Sequence, residues 1–358
     1  MSKKILYISN MYPSKKYKHY GIFVKNMEED LLSLGYKIDK VIKKKQDNKI
    51  AKALSYTWFY IRVFFKSLLK KYDIIYVHFI SHSAKTLIKK RAFLILHAHG
   101  NDIVPDHKSD LKNKVASKSI LKKADKVVVP SSYFKEVLIR EYKIKEEIIK
   151  IYPSGGIHFD IMKPLEKENC LKKLNLNRDY QYLGYISRIE KDKGWDTLLE
   201  AIYLLKKEKK WNHKKLLMVG CGEEEPLLAK KIEKYHLEEE IIKREFVSQE
   251  QLVYYYNALE AFIFPTKRKS ESLGLVGLEA MACKIPLIVC TLYGPKTYAT
   301  KENAITYENA TGEELKNKIE EFFNMGKEEK EKMIENAYAT AKEYDSKRLL
   351  GKLEEIVK

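Results

Sequence analysis

Two glutamates in the second half of the chain have a spacing that could bind an extended ligand. Glu271 and Glu279 stand at the ends of ESLGLVGLE, with seven residues between them. Eight helical positions rise about 12 Å, so Glu271 in a loop and Glu279 two turns into a helix could contact opposite ends of one ligand. Gly274 and Gly277 predict a bare helix face beside it. For Glu271 the alternative is a carboxylate whose only role is a favourable interaction with the helix dipole.

A basic loop offers the complementary chemistry. Arg188 and Lys193 occur in SRIEKDKG, which ends with Gly194 immediately before a predicted helix. These two cations beside a helix N-terminus could hold a diphosphate, because an arginine fork, a lysine charge and the helix dipole all attract phosphate oxygens. The alternative in so lysine-rich a chain is a solvated basic loop.

Two further loops contain glycines that would let a ligand approach the backbone. Gly21 directly precedes a predicted helix, whose free N–H groups could bind phosphate; an ordinary loop glycine is the alternative. The segment VGCGEEE contains Gly220 and Gly222, but Glu225 stands where a dinucleotide-binding fingerprint needs its third glycine. The fingerprint is therefore absent, and Gly222 is a candidate only for close backbone contact.

Apolar segments of strand length alternate with amphipathic helical segments through both halves of the chain. In the first half, strands are predicted at 4–9, 38–42, 73–79, 92–98, 126–129 and 148–152, and helices at 23–34, 50–70, 83–90, 109–123 and 132–142. In the second half, strands are predicted at 182–186, 216–219, 241–246, 261–264 and 285–290, and helices at 195–207, 226–235, 249–257 and 275–283, with a helical tail from Thr311.

This alternation predicts an α/β fold with two Rossmann-like, doubly wound parallel-sheet lobes that face a cleft. The periodicity stops between residues 153 and 178, which we predict to be the linker. We expect an acceptor-side lobe over residues 1–160, a donor-side lobe over 161–340, and a last helix over 341–358 that crosses back to the first lobe. Ligands bind open α/β sheets at the carboxyl ends of strands, where all four loops are predicted.

The composition narrows the class of protein. The 358 residues are 45% hydrophobic and carry 68 Lys and Arg against 49 Asp and Glu, a net charge of +19. This excludes a disordered chain. The start MSKKILYISN lacks a signal-peptide core, and the longest apolar runs fall far short of the roughly 20 residues that span a bilayer. We therefore expect a cytoplasmic protein, in which four scattered cysteines stay reduced.

The kind of basic residue bears on the partner. Sixty of the 68 are Lys and eight are Arg, a bias that favours a diffuse basic surface for an anionic membrane over nucleic-acid recognition. Lysines that only solubilise the chain are the alternative. Residues 51–71, AKALSYTWFYIRVFFKSLLKK, combine aromatic and basic side chains and predict peripheral docking on the inner face of the cell membrane. A fully buried helix is the alternative.

Six segments together resemble a known family, the family 4 glycosyltransferases. They are ILYISNMYPS with YGIFVKN, LHAHGND, ADKVVVPSSYFKEVL, GYISRIEKDKGWDTLLEA, VGCGEEE and FIFPTKRKSESLGLVGLEAMACKIPLIV. The last of these is similar to the family's E-x7-E motif, and the resemblance covers nearly the full length of the chain.

The resemblance implies a GT-B fold and a retaining enzyme that moves a hexose-type sugar from a nucleotide-sugar to an acceptor hydroxyl. It also implies the site roles: Arg188 and Lys193 on the donor diphosphate, Glu279 on the ribose, Glu271 on the donor hexose, Gly21 with its backbone toward the phosphates, and the His99 loop toward the transferred sugar. The chain departs from the family at Tyr20 and Ala304, where glycine is usual, and at Arg244-Glu245. His97 stays open as the alternative to His99.

The residues are consistent with chemistry that needs no metal and no cofactor. No D-x-D motif occurs, so cations and helix dipoles, rather than a chelated Mg²⁺, would hold the diphosphate. We expect the departing diphosphate to accept the acceptor proton while the acceptor hydroxyl attacks from the same side. The expected acceptor is a glycan or a lipid-linked molecule in bacterial surface polysaccharide or glycolipid synthesis.

Two other functions remain as alternatives. One is a different GT-B enzyme, such as a nucleotide-sugar epimerase or a phosphorylase. An epimerase needs acid/base carboxylates beyond these two, and the sequence offers no PLP-lysine signature for a phosphorylase. The other is a basic nucleic-acid-binding protein, but the sequence lacks the signatures of the common nucleic-acid-binding modules. We therefore expect no nucleic-acid partner.

Overall fold

The computed structural model describes residues 3–17, 20–88 and 91–358. The chain divides into two compact units: unit 1 is Met1–Gly155 with Lys347–Lys358, and unit 2 is Gly156–Ser346. Each unit contains one six-stranded parallel sheet with interleaved helices. The predicted α/β class, with two doubly wound parallel sheets, is therefore confirmed.

Unit 1 is built on a sheet with the strand order β2-β1-β3-β4-β5-β6. Its strands are β1 (Lys4–Ser9), β2 (Lys37–Ile42), β3 (Ile74–His78), β4 (Phe93–His97), β5 (Lys126–Val129) and β6 (Ile149–Ile151). Its first helices are α1 (Ile22–Ser33), α2 (Lys49–Ser67), α3 (Ile80–Ser83), α4 (Leu111–Leu121) and α5 (Ser132–Tyr142). All five residues of β3 are buried, as expected for a central parallel strand with helices on both faces.

Unit 2 repeats the arrangement with the strand order β12-β11-β10-β7-β8-β9. Its strands are β7 (Gln181–Ile186), β8 (Lys214–Val219), β9 (Ile241–Arg244), β10 (Ala261–Phe264), β11 (Leu287–Cys290) and β12 (Ile305–Tyr307). Its helices are α6 (Lys167–Lys173), α7 (Trp195–Lys207), α8 (Glu225–Tyr235), α9 (Gln249–Asn257), α10 (Leu275–Ala282), α11 (Gly312–Asn324) and α12 (Lys327–Lys342). Two apolar clusters enclose this sheet, one containing Phe262 and the other Ile263.

The last helix, α13 (Ser346–Val357), packs within unit 1. Its buried Leu349 and Leu353 share an apolar cluster with Ile5 and Tyr7 of β1. Lys126 Nζ donates a hydrogen bond of 2.7 Å to the carbonyl of Ile356. Such a bond satisfies one of the carbonyl groups that a helix leaves unpaired at its C-terminus.

Several predicted elements need correction. A helix was expected over residues 83–90, but α3 ends at Ser83 and turns follow; residues 89 and 90 lie outside the described part of the chain. Asp102 Oδ2 accepts the backbone N–H of Ile80 at 3.1 Å, so a carboxylate remote in sequence fixes where this helix begins. The predicted strand over 241–246 ends at Arg244.

The predicted linker over residues 153–178 also differs from the structure. It contains α6, whose Cys170 and Leu171 are buried in the unit 2 core. The units divide at Gly155, where the sequence suggests residue 160, and α12 extends to Lys342 before α13 begins. The three-residue strand β12 is too short to give a periodic signal.

Candidate functional site

The carboxyl ends of three adjacent strands in unit 2 gather the predicted donor-side residues. Strands β10, β7 and β8 are neighbours in one parallel sheet, so the loops that follow them leave the same edge. These loops contain Arg188 and Lys193 after β7, Gly222 after β8, and Glu271 after β10. The structure therefore brings together residues that are as much as 83 positions apart in the sequence.

Lys193 and Glu271 form a buried ion pair at this edge. Lys193 Nζ donates to Glu271 Oε2 at 2.6 Å, and the two side chains are only 12% and 13% exposed. The Thr266 hydroxyl donates to the same oxygen at 3.3 Å. Burial raises the pKa of Glu271, but the charge and hydrogen bond of Lys193 outweigh that effect and hold the pKa below its ordinary value. Glu271 is therefore ionised at neutral pH.

Gly194 fixes the start of α7 beside the end of β10. It has a φ of 79°, and a Cβ atom there would lie 2.0 Å from the carbonyl oxygen of Pro265. Only glycine permits both this left-handed conformation and so close an approach. The N-terminus of α7, with its partial positive charge, is thus held against the loop that carries Glu271.

Two arginines share the carboxylate of Glu190 in the same group of loops. Arg188 Nη1 donates to Glu190 Oε1 at 2.6 Å, and Arg268 Nη1 donates to Glu190 Oε2 at 3.0 Å. The Arg188 side chain is 58% exposed, so its guanidinium is accessible to a ligand. Arg268 and Glu190 were not predicted from the sequence. The signal was present in PTKRKSESLG, where three basic residues follow a buried strand.

Glu279 lies in the second turn of α10, and Glu271 lies in the loop before that helix. Both carboxylate oxygens of Glu279 accept hydrogen bonds, from the Tyr256 hydroxyl at 2.8 Å and from Gln249 Nε2 at 3.3 Å. Burial raises the pKa of Glu279 above its ordinary value, and these two bonds only partly oppose the rise. Tyr256 and Gln249 were likewise not predicted from the sequence.

Aromatic side chains of the protein occupy the helix face that was predicted to be bare between the two glutamates. A Cβ atom on Gly277 would lie 2.2 Å from the Tyr298 hydroxyl, and one on Gly274 would lie 2.3 Å from the ring of Phe264. The Tyr298 hydroxyl donates to the carbonyl of Gly274 at 2.9 Å. These glycines make room for the protein's own aromatic side chains, so the prediction that they leave space for a ligand is wrong.

Gly222 lies against the loop that contains Arg188. A Cβ atom there would lie 2.2 Å from the carbonyl oxygen of Ile189, so the glycine is required by contact between two protein loops. Nearby, Trp195 Nε1 donates to Glu224 Oε2 at 2.9 Å. This hydrogen bond connects the glycine-containing loop after β8 to the start of α7.

In unit 1 the predicted residues Gly21 and His99 lie on neighbouring elements. Gly21 precedes α1 with a φ of 74°. The ring of Phe23, in the first turn of α1, lies 4.6 Å from the imidazole of His99, measured between centroids. The start of α1 and the loop after β4 are thus adjacent.

A buried carboxylate organises the His99 loop. Asp102 Oδ1 accepts the backbone N–H of His99 at 3.0 Å and that of Gly100 at 2.8 Å. His99 Nε2 is 2.9 Å from His78 Nδ1. Burial lowers the pKa of His99 to about 3, so its imidazole is neutral at physiological pH. His97 is completely buried in the sheet, with its Nδ1 3.2 Å from the Tyr76 hydroxyl.

His78, His97 and His99 also form a cluster that could hold a metal ion. One ring nitrogen from each lies within 4.8 Å of the others, and no other such group of ligands is found among residues 3–17, 20–88 and 91–358. Neutral imidazoles suit zinc. However, two of these nitrogens already share a hydrogen bond, which a metal would have to replace.

Two family profiles match the sequence of this chain. Residues 166–340 match "Glycosyl transferases group 1", and residues 29–155 match "Glycosyltransferase Family 4". The chain belongs to the family 4 glycosyltransferases. The resemblance stated from the sequence is therefore confirmed, and each matched region lies entirely within one unit.

Relatives with similar sequences include two glycosyltransferases of polysaccharide biosynthesis. CapM of Staphylococcus aureus, for capsular polysaccharide, is 27% identical over 207 residues that cover 56% of this chain and 53% of CapM. AmsD of Erwinia amylovora, for amylovoran, is 32% identical over 167 residues that cover 46% of this chain and 43% of AmsD. The chain thus spans about half the length of the curated relatives that it matches.

Solved structures of low sequence identity share the fold. Sucrose-phosphate synthase from Thermosynechococcus elongatus is similar with a TM-score of 0.81 and 18% identity, covering 99% of this chain and 98% of that one. Anabaena Alr3699/HepE in complex with UDP-glucose has a TM-score of 0.74 and 18% identity, with the same coverage. At this identity the likeness shows the GT-B fold alone.

Proposed function

We propose that this protein is a glycosyltransferase that moves a hexose-type sugar from a nucleotide-sugar to an acceptor hydroxyl with retention of configuration. The observation that carries the proposal is the buried Lys193–Glu271 pair at the N-terminus of α7, with Arg188 and Arg268 nearby. Lys193 and the two arginines outnumber the two carboxylates that pair with them. Together with the helix dipole, this leaves the loops attractive to a diphosphate.

Each residue then has a defined role toward the donor. Arg188 and Lys193 bind the diphosphate, Glu271 accepts hydrogen bonds from hydroxyls of the hexose, and Glu279 accepts them from the ribose. The Gly222 loop packs against the backbone of Ile189, the residue that follows Arg188. In unit 1, the backbone at Gly21 approaches the phosphates, and the neutral His99 loop contacts the sugar that is transferred.

The proposed reaction needs no group beyond the two substrates. The bond between the anomeric carbon and the diphosphate oxygen breaks, and the acceptor oxygen bonds to the same face of that carbon. The acceptor proton passes to the oxygen of the departing diphosphate. Arg188 and Lys193 stabilise the charge that grows on that oxygen, so we propose a metal-independent enzyme without a cofactor.

The names of the relatives and neighbours suggest the substrates. CapM and AmsD are named for capsular polysaccharide and amylovoran, and HepE is described in complex with UDP-glucose. We propose a UDP-sugar or similar donor and a glycan or lipid-linked acceptor in surface polysaccharide or glycolipid synthesis. We place the enzyme in the cytoplasm, in peripheral contact with the inner face of the cell membrane, and without a nucleic-acid partner.

The proposal is tested by incubating the full chain with UDP-, GDP- and ADP-sugars in the presence of lipid-linked and free glycan acceptors. We expect the nucleoside diphosphate to appear only as the sugar is transferred, and NMR of the product to show the anomeric configuration of the donor. Lys193→Gln should abolish transfer. Lys167→Gln, which breaks the more exposed Lys167–Glu260 pair of the same unit, is the matched control and should remain active.

Other outcomes would support a different function. Conversion of the nucleotide-sugar to its epimer without release of diphosphate would identify an epimerase. An inverted product would contradict retention. Binding of random duplex DNA with a steep salt dependence, and no turnover of any sugar, would instead favour the nucleic-acid alternative.

A further inference from the structure

Helix α2 carries a continuous apolar stripe on its outer face. Ile50, Leu54, Trp58, Ile61 and Phe65 are spaced by three or four residues, and Leu69 continues the series just beyond the helix. Each of the six is between 41% and 72% exposed. The repeat of three and four places them on one side of the helix.

The opposite face of α2 accounts for the attachment of the helix to unit 1. Phe59, Val63 and Ser67 are buried, and the helix packs against β1 and β2. The Arg62 guanidinium also donates to the carbonyl of Lys40 at 3.2 Å. The exposed stripe is therefore additional to the apolar residues that hold the helix in place.

Positive charge accompanies the stripe. The segment of α2 contains no acidic residue, and it has four basic ones: Lys49, Lys52, Arg62 and Lys66. Lys70 and Lys71 follow shortly after the helix ends. The helical repeat places Arg62 next to Trp58, at one edge of the stripe. Lys66 lies on the same side, further from the stripe. Lys66 pairs with Asp39 of β2 at 2.5 Å, and Lys71 approaches the same carboxylate at 3.7 Å. The charge beside the stripe is therefore positive overall, with one acidic residue among the cations.

The same asymmetry extends to the whole protein. Unit 1 contains 37 Lys and Arg against 16 Asp and Glu, a net charge of +21, whereas unit 2 contains 31 against 33, a net charge of −2. The excess charge of the chain therefore belongs to the unit that carries the stripe. An excess of positive charge that only kept the protein in solution would be expected in both units.

We propose that α2 is a docking surface that lies flat on an anionic phospholipid bilayer. The stripe would enter the boundary between headgroups and acyl chains, with Trp58 at headgroup depth and the bordering cations on lipid phosphates. The inference rests on the proposed function in one respect, which is that this surface would bring unit 1 to a lipid-linked acceptor. A second copy of the chain is the less suitable occupant, because two units of +21 would repel each other.

Trp58 provides a specific probe of docking. Of the three tryptophans, Trp195 and Trp211 are buried in unit 2, whereas Trp58 is 61% exposed. A shift of the intrinsic emission toward the blue on addition of vesicles therefore reports on the stripe itself. Quenching by brominated lipid would show that the ring has reached the acyl boundary.

The test is co-sedimentation of the full chain with vesicles of phosphatidylglycerol and phosphatidylcholine, compared with phosphatidylcholine alone. We expect binding to the anionic vesicles only, strong at about 0.05 M salt and lost near about 0.5 M. No sugar donor is present, so binding and transfer are measured separately. An enzyme active on a water-soluble acceptor that binds no vesicles would overturn the docking surface and leave the proposed function intact.

Two variants and a matched control assign the binding to α2. The double variant Leu54→Glu/Phe65→Glu should lower vesicle affinity by roughly tenfold or more, because it removes apolar burial and adds repelled charge. Arg62→Gln, which removes the cation beside Trp58, should weaken binding and flatten its salt dependence. Leu227→Glu, at a similarly exposed leucine on α8 of unit 2, should bind like the parent. Unchanged circular dichroism and melting temperature would show that the variants fold.

Three results would overturn the inference. The first is equal binding to neutral and anionic vesicles, and the second is equal binding by the parent and the Leu54→Glu/Phe65→Glu variant. The third is a dimer in solution that dissociates in that variant while vesicles leave the emission of Trp58 unchanged. The last result would assign the stripe to self-association instead.

Discussion

Lys193 and Glu271 are in contact across 78 residues of sequence, with Nζ and Oε2 only 2.6 Å apart. The two belong to loops that follow different strands, and the sequence suggested a separate role for each. In the structure each side chain neutralises the other in a mostly buried place. A donor that binds here must therefore interact with an ion pair that already exists. A substitution of either residue also changes the charge that surrounds the other.

Removing the lysine should destabilise unit 2. Lys193→Gln leaves the buried Glu271 carboxylate without its cation, and we expect a loss of about 3 kcal/mol in the free energy of unfolding. Chemical denaturation measures it. The control Lys167→Gln breaks a pair that is about one-third exposed and should cost less than about 1 kcal/mol. A double variant Lys193→Met/Glu271→Leu should regain stability without regaining transfer. Equal losses in the two single variants would contradict this account.

The two glutamates should affect ligand binding differently. Glu279→Ala should weaken binding of the bare nucleoside diphosphate by about 1–3 kcal/mol, because it removes an acceptor for ribose hydroxyls. Glu271→Ala frees the charge of Lys193, so it should leave diphosphate binding unchanged or tighter while it abolishes transfer. Isothermal titration with UDP, GDP and ADP makes the comparison. The same loss in both variants would show that the division of roles is wrong.

Arg188 should act mainly on turnover. Charge grows on the diphosphate oxygen in the transition state, so Arg188→Gln should lower kcat by about a hundredfold and change donor KM much less. Its partner Glu190 keeps Arg268, so stability should hardly change. Arg178→Gln, at an exposed arginine of the same unit, is the control. A rise in KM with unchanged kcat would mean that Arg188 only binds the ground state.

Treatment with EDTA should leave transfer intact. The proposed diphosphate contacts are cationic side chains, and the cluster of His78, His97 and His99 is satisfied in part by the bond between His78 and His99. Steady-state rates before and after chelation and gel filtration test this. Loss of activity that Zn²⁺ restores would assign the three histidines to a metal site. Loss that Mg²⁺ or Mn²⁺ restores would contradict the metal-independent mechanism.

The sequence predicted the sheets well because local patterns determine them. The bounds of β1, β5 and β10 agree with the prediction to the residue, since each is a short apolar run between polar segments. The helix expected over 83–90 is absent: the helix at this point begins earlier, at Ile80, whose N–H is bound by Asp102 from 22 residues away, and it ends at Ser83. No local pattern contains that bond.

The sequence predicted many of the residues of the site, but not the hydrogen bonds and ion pairs between them. Motifs indicated Arg188 and Glu279, yet Arg268, which shares Glu190 with Arg188, and Tyr256, which binds Glu279, come from a different loop and helix that only folding brings near. The interpretation of Gly277 was wrong for the same reason. The residue that fills the space beside it, Tyr298, is 21 positions further along the chain.

The raised pKa of Glu279 predicts that function and stability oppose each other at this position. Its folded-state pKa lies above the ordinary value of 4.5 because burial disfavours the charged form. A carboxyl with a raised pKa stabilises the fold most when it is protonated, and that contribution is lost as pH rises from 4.5 through the folded value. Glu279→Gln keeps the shape of the side chain and removes the charge.

We therefore expect the melting temperature of Glu279→Gln to equal that of the parent near pH 4 and to exceed it by a few degrees at neutral pH. The variant should nevertheless bind nucleoside diphosphates more weakly, because an amide replaces a charged acceptor. Thermal melts across this pH range measure the difference. Glu271→Gln is the matched control with the opposite sign, since Lys193 lowers the pKa of Glu271, and it should melt below the parent at neutral pH. A Glu279→Gln variant that is less stable than the parent at pH 7 would show that the bonds from Tyr256 and Gln249 outweigh the cost of burying the charge.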